Sequence, residues 1–230
     1  QDALCEFYRQ VGIAENCVIV QLPFWRRLAL GLRASFGSTV VYDCMDDWET
    51  FPGIGAFNLA EERLLATEVD VLLVTARKLL EKFEHLGLRP VLVRNAADYE
   101  SFTGDSSEQA PLDNVPKPIV GYFGAIAEWV DLDLVYAVAI LRPQYSFVLV
   151  GKVFGRDVSR LETLSNVHLV GHKEYAEIPS HLRQFDVCII PFLVNQVTNA
   201  TDPVKLYEYF SQGKPVVATA MAELETWRDL

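Results

Sequence analysis

No run of lysine and arginine occurs in this sequence, and the balance is acidic: 20 basic residues against 31 acidic ones, a formal net charge of −11. Such a chain has no basic run with which to neutralise a phosphate backbone, which argues against nucleic acid as a partner. Apolar runs are short. None reaches the length of a membrane span, and no signal-peptide pattern opens the chain. The four cysteines, Cys5, Cys17, Cys44 and Cys188, share no CxxC spacing. They read as reduced thiols of a cytoplasmic protein rather than a disulfide framework or a zinc site. Of the four histidines, His168 and His172 are four apart but fall within and at the end of an expected strand, not on one helix face, so no metal is expected. There is no GxGxxG fingerprint, no Walker loop and no GxSxG elbow, which disfavours a dehydrogenase and points away from P-loop and α/β-hydrolase chemistry.

Half of the 230 residues are hydrophobic, ample for a core. Short apolar runs alternate with amphipathic stretches throughout. The strands are read at 18–22, 39–43, 70–75 and 90–93, with helices at 24–35, 58–67 and 77–85 between them. A polar, proline-rich stretch at 103–117 reads as a linker. The alternation then restarts. Strands are expected at 119–124, 146–151, 167–171, 186–191 and 215–219, with helices at 131–141, 176–184 and 202–211. Buried strands separated by helices mean parallel βαβ units. The expected fold is therefore α/β, with two Rossmann-like doubly wound domains, residues 1–102 and 118–230. In such folds ligands sit at the carboxyl ends of the strands.

That rule selects candidates. At the carboxyl end of the strand at 39–43 lie Asp43, Asp46, Asp47 and Trp48. Crowded carboxylates raise one another's pKa, which suits a general base, although a solvated acidic loop is an equal reading. Gly124 follows the first strand of the second half, where glycine lets backbone approach a phosphate. Lys152 and His172 follow the next two strands, placed to meet a diphosphate and to border a base. Lys205 and Glu208 are three apart on a helix that Asp202 would cap and Pro203 would start, with Leu206 and Phe210 toward the core. A cation and a carboxylate near a helix N-terminus suit a nucleotide: the Lys for phosphate, the Glu for ribose hydroxyls. For an isolated pair at this spacing the ordinary reading is a weak surface ion pair. Residues 24–33 form a short basic, amphipathic patch, an ordinary packed helix in the first place and a peripheral membrane contact in the second.

Four stretches in order resemble the nucleotide-sugar-dependent glycosyltransferases of the GT-B fold, group 1 or family 4-like. Val40–Trp48 resembles that family's YDxxDd segment. Asp70–Ala76 with Arg94–Phe102 resembles its aDxvxvtS and pNGvDxxxF segments. Asn166–Gly171 with Ile178–Phe192 resembles its strand–helix–strand before the donor loop. Asp202–Thr219 resembles its PxKlyEYlaxGkPVVat. The resemblance implies a transferase that moves a sugar from a nucleotide-diphosphate donor to a glycan or lipid-linked acceptor in polysaccharide or glycoconjugate biosynthesis. It implies no cofactor beyond that donor, and a place in the cytoplasm at the inner face of the membrane. Glu208 matches the ribose-binding carboxylate, and Lys205 a basic residue near the diphosphate. Thr198, Asn199 and Thr201 match a loop touching phosphate or sugar, and Asp46 or Asp47 a candidate base.

Three departures stand out. The loop Gly124–Trp129 has no cation where the family carries an Arg and a Lys-Gly. The family's earlier Glu falls at Ala200. The expected pNG is Arg94-Asn95-Ala96. Phosphate neutralisation would then rest on Lys205, Lys152 and helix dipoles. On this pattern residues 1–16 form one helix before the first strand, so the first domain lacks its opening βα units and the second stops inside a helix. A GT-B-like nucleotide-sugar epimerase and a non-catalytic nucleotide-sugar-binding domain are the alternatives.

Overall fold

In the computed structural model, which describes residues 2–51, 53–104 and 112–228, the apolar runs become parallel strands joined by helices. The chain divides into two compact units, Gln1–Arg94 with Asn199–Asp202, and Asn95–Thr198 with Pro203–Leu230. This is an α/β chain with two parallel, Rossmann-like sheets; the second reverses its strand order as a doubly wound sheet does, whereas the first, against expectation, runs in one direction with no reversal among the described residues. Among the described residues, no helix is long and apolar enough to cross a membrane.

The first unit runs α1 (Asp2–Val11), β1 (Cys17–Val20), α2 (Arg26–Phe36), β2 (Thr39–Cys44), α3 (Ala56–Glu68), β3 (Val71–Val74), α4 (Arg77–His85) and β4 (Val91–Leu92). Its sheet has the order β1-β2-β3-β4. The opening helix is shorter than the expected 1–16, because Gly12 turns left-handed at φ 70° and stops it. Val40, Tyr42, Cys44, Leu65, Val74 and Leu79 are fully enclosed in the core. The basic patch at 24–33 is largely spent inside the unit. Arg26 bonds Glu61 at 2.8 Å and Glu68 at 2.6 Å, and Arg33 lies 3.4 Å from Asp70. Phe24 and Trp25, in a 3₁₀ turn ahead of α2, stay half exposed and pack on each other, tilted, with ring centres 4.4 Å apart.

The second unit runs α5 (Tyr99–Thr103), β5 (Ile119–Phe123), α6 (Leu132–Leu141), β6 (Ser146–Val150), α7 (Ser159–Glu162), β7 (Val167–Gly171), α8 (Ile178–Gln184), β8 (Val187–Ile190), α9 (Gln196–Asn199), α10 (Val204–Ser211) and β9 (Val216–Ala218). The sheet order is β7-β6-β5-β8-β9. The order reverses between β5 and β8, the switch point at which doubly wound sheets open a crevice. Asp131 caps α6, its carboxylate accepting the Leu134 N–H at 2.9 Å.

Several expectations need correction. Residues 95–102 group with the second unit, not the first, because Phe102 is buried there against Phe123. The middle of the expected linker, 105–111, lies outside the described residues. Asp202 does not cap α10. Pro203 occupies the N-cap position without a side-chain bond, and Asp202 groups with the first unit. Phe210 is 38% exposed, and Tyr209 takes the core position instead. The Tyr209 hydroxyl accepts the Phe123 N–H and donates to the Ile189 carbonyl, while Phe210 packs on Trp227. Gly213, at φ 63°, ends α10 as expected.

Candidate functional site

The carboxyl ends of β5, β6 and β7 and the start of α10 surround a cavity of about 580 Å³ in the second unit. Gly124, Lys152, His172, Lys205 and Glu208 all line it. Five residues selected singly along 85 positions of sequence thus share one hollow. Its floor is set by close backbone approach. A Cβ on Gly151 would fall 1.9 Å from the Gly124 carbonyl oxygen, so the loops after β5 and β6 touch only because Gly151 has no side chain. A Cβ on Gly124 (φ 130°) would lie 2.2 Å from Lys205 Cε and 2.6 Å from its Nζ.

Lys205 therefore lies along the β5 loop rather than out in water. Its ammonium sits 5.7 Å from the centre of the Tyr122 ring and 5.6 Å from that of Phe192. Burial lowers its pKa, and the nearby Glu208 charge only partly opposes that. Among the described residues it makes no hydrogen bond and no ion pair. A desolvated cation held by ring faces alone favours a bound anion.

Glu208 is 4% exposed. Burial raises its pKa, against the bond from Tyr175 and the charge of Lys205, which lower it. Tyr175 donates to Glu208 Oε1 at 2.9 Å and has its own pKa pushed up to about 12, by burial first and then by that carboxylate. The sequence reading passed over Tyr175. Its signal was position: it lies four residues beyond the end of β7, on the ligand side of the sheet. Lys152 and His172 are exposed at the mouth. The first lies 5.1 Å from the Phe154 ring centre and the second 3.5 Å from Glu174.

Thr198, Asn199 and Thr201 do not line this cavity. Thr198 is buried, its hydroxyl donating to the Leu193 carbonyl and accepting the Asn195 N–H, so its side chain holds the loop together. Asn199 and Thr201 belong to the stretch that groups with the first unit, where Ala200 is buried in the core. A wider hollow of about 940 Å³ lies beside β9. Its charged groups are already engaged: Lys214 with the Arg183 and Phe185 carbonyls at 2.8 Å, and Arg228 with Glu225 at 3.5 Å. It offers no free cation to a ligand among the described residues, so the smaller cavity is the better candidate.

In the first unit the structure separates the two candidate bases. Asp47 is held by Lys82 at 2.6 Å. Lys82 also lies 3.3 Å from Glu62, which is 1% exposed by side chain and accepts the Tyr42 hydroxyl at 3.1 Å. Burial alone would lower the Lys82 pKa, but the bond to Asp47 and the charge of Glu62 carry it above the ordinary value. Asp46 has no ion pair among the described residues, and burial raises its carboxyl pKa. Of the two, Asp46 is free to take a proton. Trp48 packs on Phe51 at 5.9 Å.

Residues 117–229 match the family model described as Glycosyl transferases group 1. The chain is 29% identical over 201 residues to the putative teichuronic acid biosynthesis glycosyltransferase TuaH of Bacillus subtilis (strain 168), covering 78% of this chain and 50% of that protein. It spans, then, about half the length of this curated relative. Among solved structures, HepE of Anabaena in complex with UDP aligns with a TM-score of 0.71 at 18% identity, over 98% of this chain and 64% of that one. Sucrose-phosphate synthase of Thermosynechococcus elongatus aligns with a TM-score of 0.71 at 16% identity, over 98% and 60%. These two likenesses establish a shared GT-B-type fold.

Proposed function

For a chain whose residues 117–229 match the glycosyl transferases group 1 family model, we propose transfer of a sugar from a nucleotide-diphosphate donor to a glycan or lipid-linked acceptor in polysaccharide or glycoconjugate biosynthesis. One observation carries the reading: a desolvated Lys205, without an ion pair among the described residues, and a buried Glu208 line one cavity at the carboxyl ends of β5, β6 and β7. Glu208 accepts the ribose hydroxyls. Lys205, with the N-terminus of α10, meets the diphosphate and stabilises it as it leaves. Lys152 and His172 border the same donor, and Gly124 keeps the β5 loop close enough for Lys205 to lie along it. Asp46 is the candidate base for the acceptor hydroxyl, and Asp47 holds the loop beside it through Lys82. The donor is read as the one small molecule required.

HepE, crystallised with UDP, supports a nucleotide ligand for this fold, and TuaH supports a polysaccharide setting. The family description favours transfer over epimerisation. The exposed Phe24–Trp25 pair is the candidate peripheral contact with a membrane carrying the acceptor, at the cytoplasmic face. Sedimentation with anionic vesicles, with and without Trp25→Ala, tests it. Thermal-shift titration with UDP, GDP and ADP sugars, followed by transfer assays with the donor that stabilises most, tests the main reading. Absence of stabilisation by every donor would reject it.

A further inference from the structure

Glu208 has a partner before any ligand arrives. Tyr175 lies in the 3₁₀ turn Tyr175–Glu177, fixed by a capping box in which Glu174 and Glu177 side chains bond each other's backbone. Its ring meets Phe102 edge-on at 5.6 Å, and Phe102 stacks in turn on Phe123 at 6.3 Å. Phe102 is itself pinned, because Gln212 Nε2 donates to its carbonyl at 2.7 Å. Tyr175 is 54% exposed. A phenol so placed would ordinarily bond water. Here it points inward to Glu208 Oε1 at 2.9 Å.

The carboxylate has about four acceptor positions, and the phenol occupies one. At least two remain for a vicinal diol, so a ribose does not have to displace the phenol. A buried carboxylate with no donor would rotate and would favour its protonated form, which accepts poorly. We propose that Tyr175 is a positioning residue for nucleoside recognition: its hydroxyl orients Glu208 and leaves the remaining carboxylate lone pairs facing the cavity for the ribose hydroxyls of the donor. This rests on the ribose role given to Glu208 above.

The test compares Tyr175→Phe with wild type by calorimetric titration of UDP, GDP and ADP, and of inorganic pyrophosphate. The variant keeps the ring that packs on Phe102 and loses only the hydroxyl. Whichever nucleoside diphosphate binds best is expected to bind about tenfold more weakly to the variant, the size of one charge-assisted hydrogen bond, while pyrophosphate is unaffected.

The acid side of the nucleotide binding curve is expected to move to higher pH in the variant, since the donor that favours ionised Glu208 is gone. The groups facing Glu208 are Lys205 on its own helix, Glu174, His172 and Lys173 from the β7 loop and Lys152 from the β6 loop, with Asp98 acting on Tyr175. All of them are common to both proteins, so the difference between the curves isolates the hydroxyl. Unchanged nucleotide affinity across pH in Tyr175→Phe, with Glu208→Ala still weakening it, overturns the positioning role and spares the ribose assignment. Equal loss of nucleotide and pyrophosphate also overturns it, because the cavity as a whole would have moved. Failure of wild type to bind any of the three nucleotides removes both the site reading and this inference.

Discussion

Lys205 and Glu208 are three residues apart, yet they sit under different constraints, and each predicts a different experiment. Loss of Glu208 as alanine is expected to weaken nucleoside diphosphate binding by about 1.5–3 kcal/mol, roughly ten- to hundredfold, read by titration calorimetry. Lys205 is held below its usual pKa by burial. Its charge is therefore lost earlier than a surface lysine's as pH rises, and affinity for the diphosphate is expected to fall on the alkaline side below about pH 10.5, the ordinary lysine value. In Lys205→Met that alkaline limb disappears. The two aspartates part in the same way. Asp46→Asn is expected to cut transfer by about 10²–10⁴. Asp47→Asn is expected to leave more transfer but lower the melting temperature, since it strips Lys82 of its nearest partner. Burial raises the Glu62 pKa, against Lys82 and Tyr42. A carboxyl raised in the folded state contributes stability that is full below its unfolded value of about 4.5 and is lost as pH rises through the raised one. Urea midpoints of Glu62→Gln are thus expected to decline less than those of wild type across that window.

At the level of helices and strands, the period of the apolar residues was enough to find most of the architecture. α4 was read at its observed bounds, and α6 one residue long because Asp131 is its cap. The misses have physical causes. The first helix and α3 gave weak cues at their ends, where glycine conformation or a missing cap decides. α10 was given the wrong cap because Asp-Pro is a strong local signal, and tertiary grouping of Asp202 with the first unit outweighs it. Five of the eight donor candidates meet in one cavity because strand-end position is legible in sequence. The loop residues 198–201 do not, since nothing local says which way a loop side chain turns. Two glycines test the element geometry. Gly213→Ala, at φ 63°, is expected to cost about 1 kcal/mol in urea unfolding without touching ligand affinity. Gly124→Ala, at φ 130°, is expected to cost stability as well and, unlike Gly213→Ala, to displace Lys205 and weaken diphosphate binding.

Over the whole molecule, each unit has its own hydrophobic core. The donor-binding residues belong to one of them, so a nucleotide ligand is expected to raise a single calorimetric transition, by about 2.7 kcal/mol at a hundred times its dissociation constant. Small sheets such as these owe their order to helices laid along the faces, and one such helix comes from an unexpected place. α5 precedes the proline-rich stretch in the chain and yet packs with the second unit, carrying the Phe102 ring on which Tyr175 leans. That has a consequence for recombination. A chimera spliced at the proline-rich stretch, where sequence composition invites the cut, would pair a foreign Phe102 equivalent with the native Tyr175 and Gln212. A splice before Asn95 would move the nucleotide-reading apparatus intact. Exchange of donor preference between relatives of this fold is expected to succeed at the earlier junction and fail at the later one.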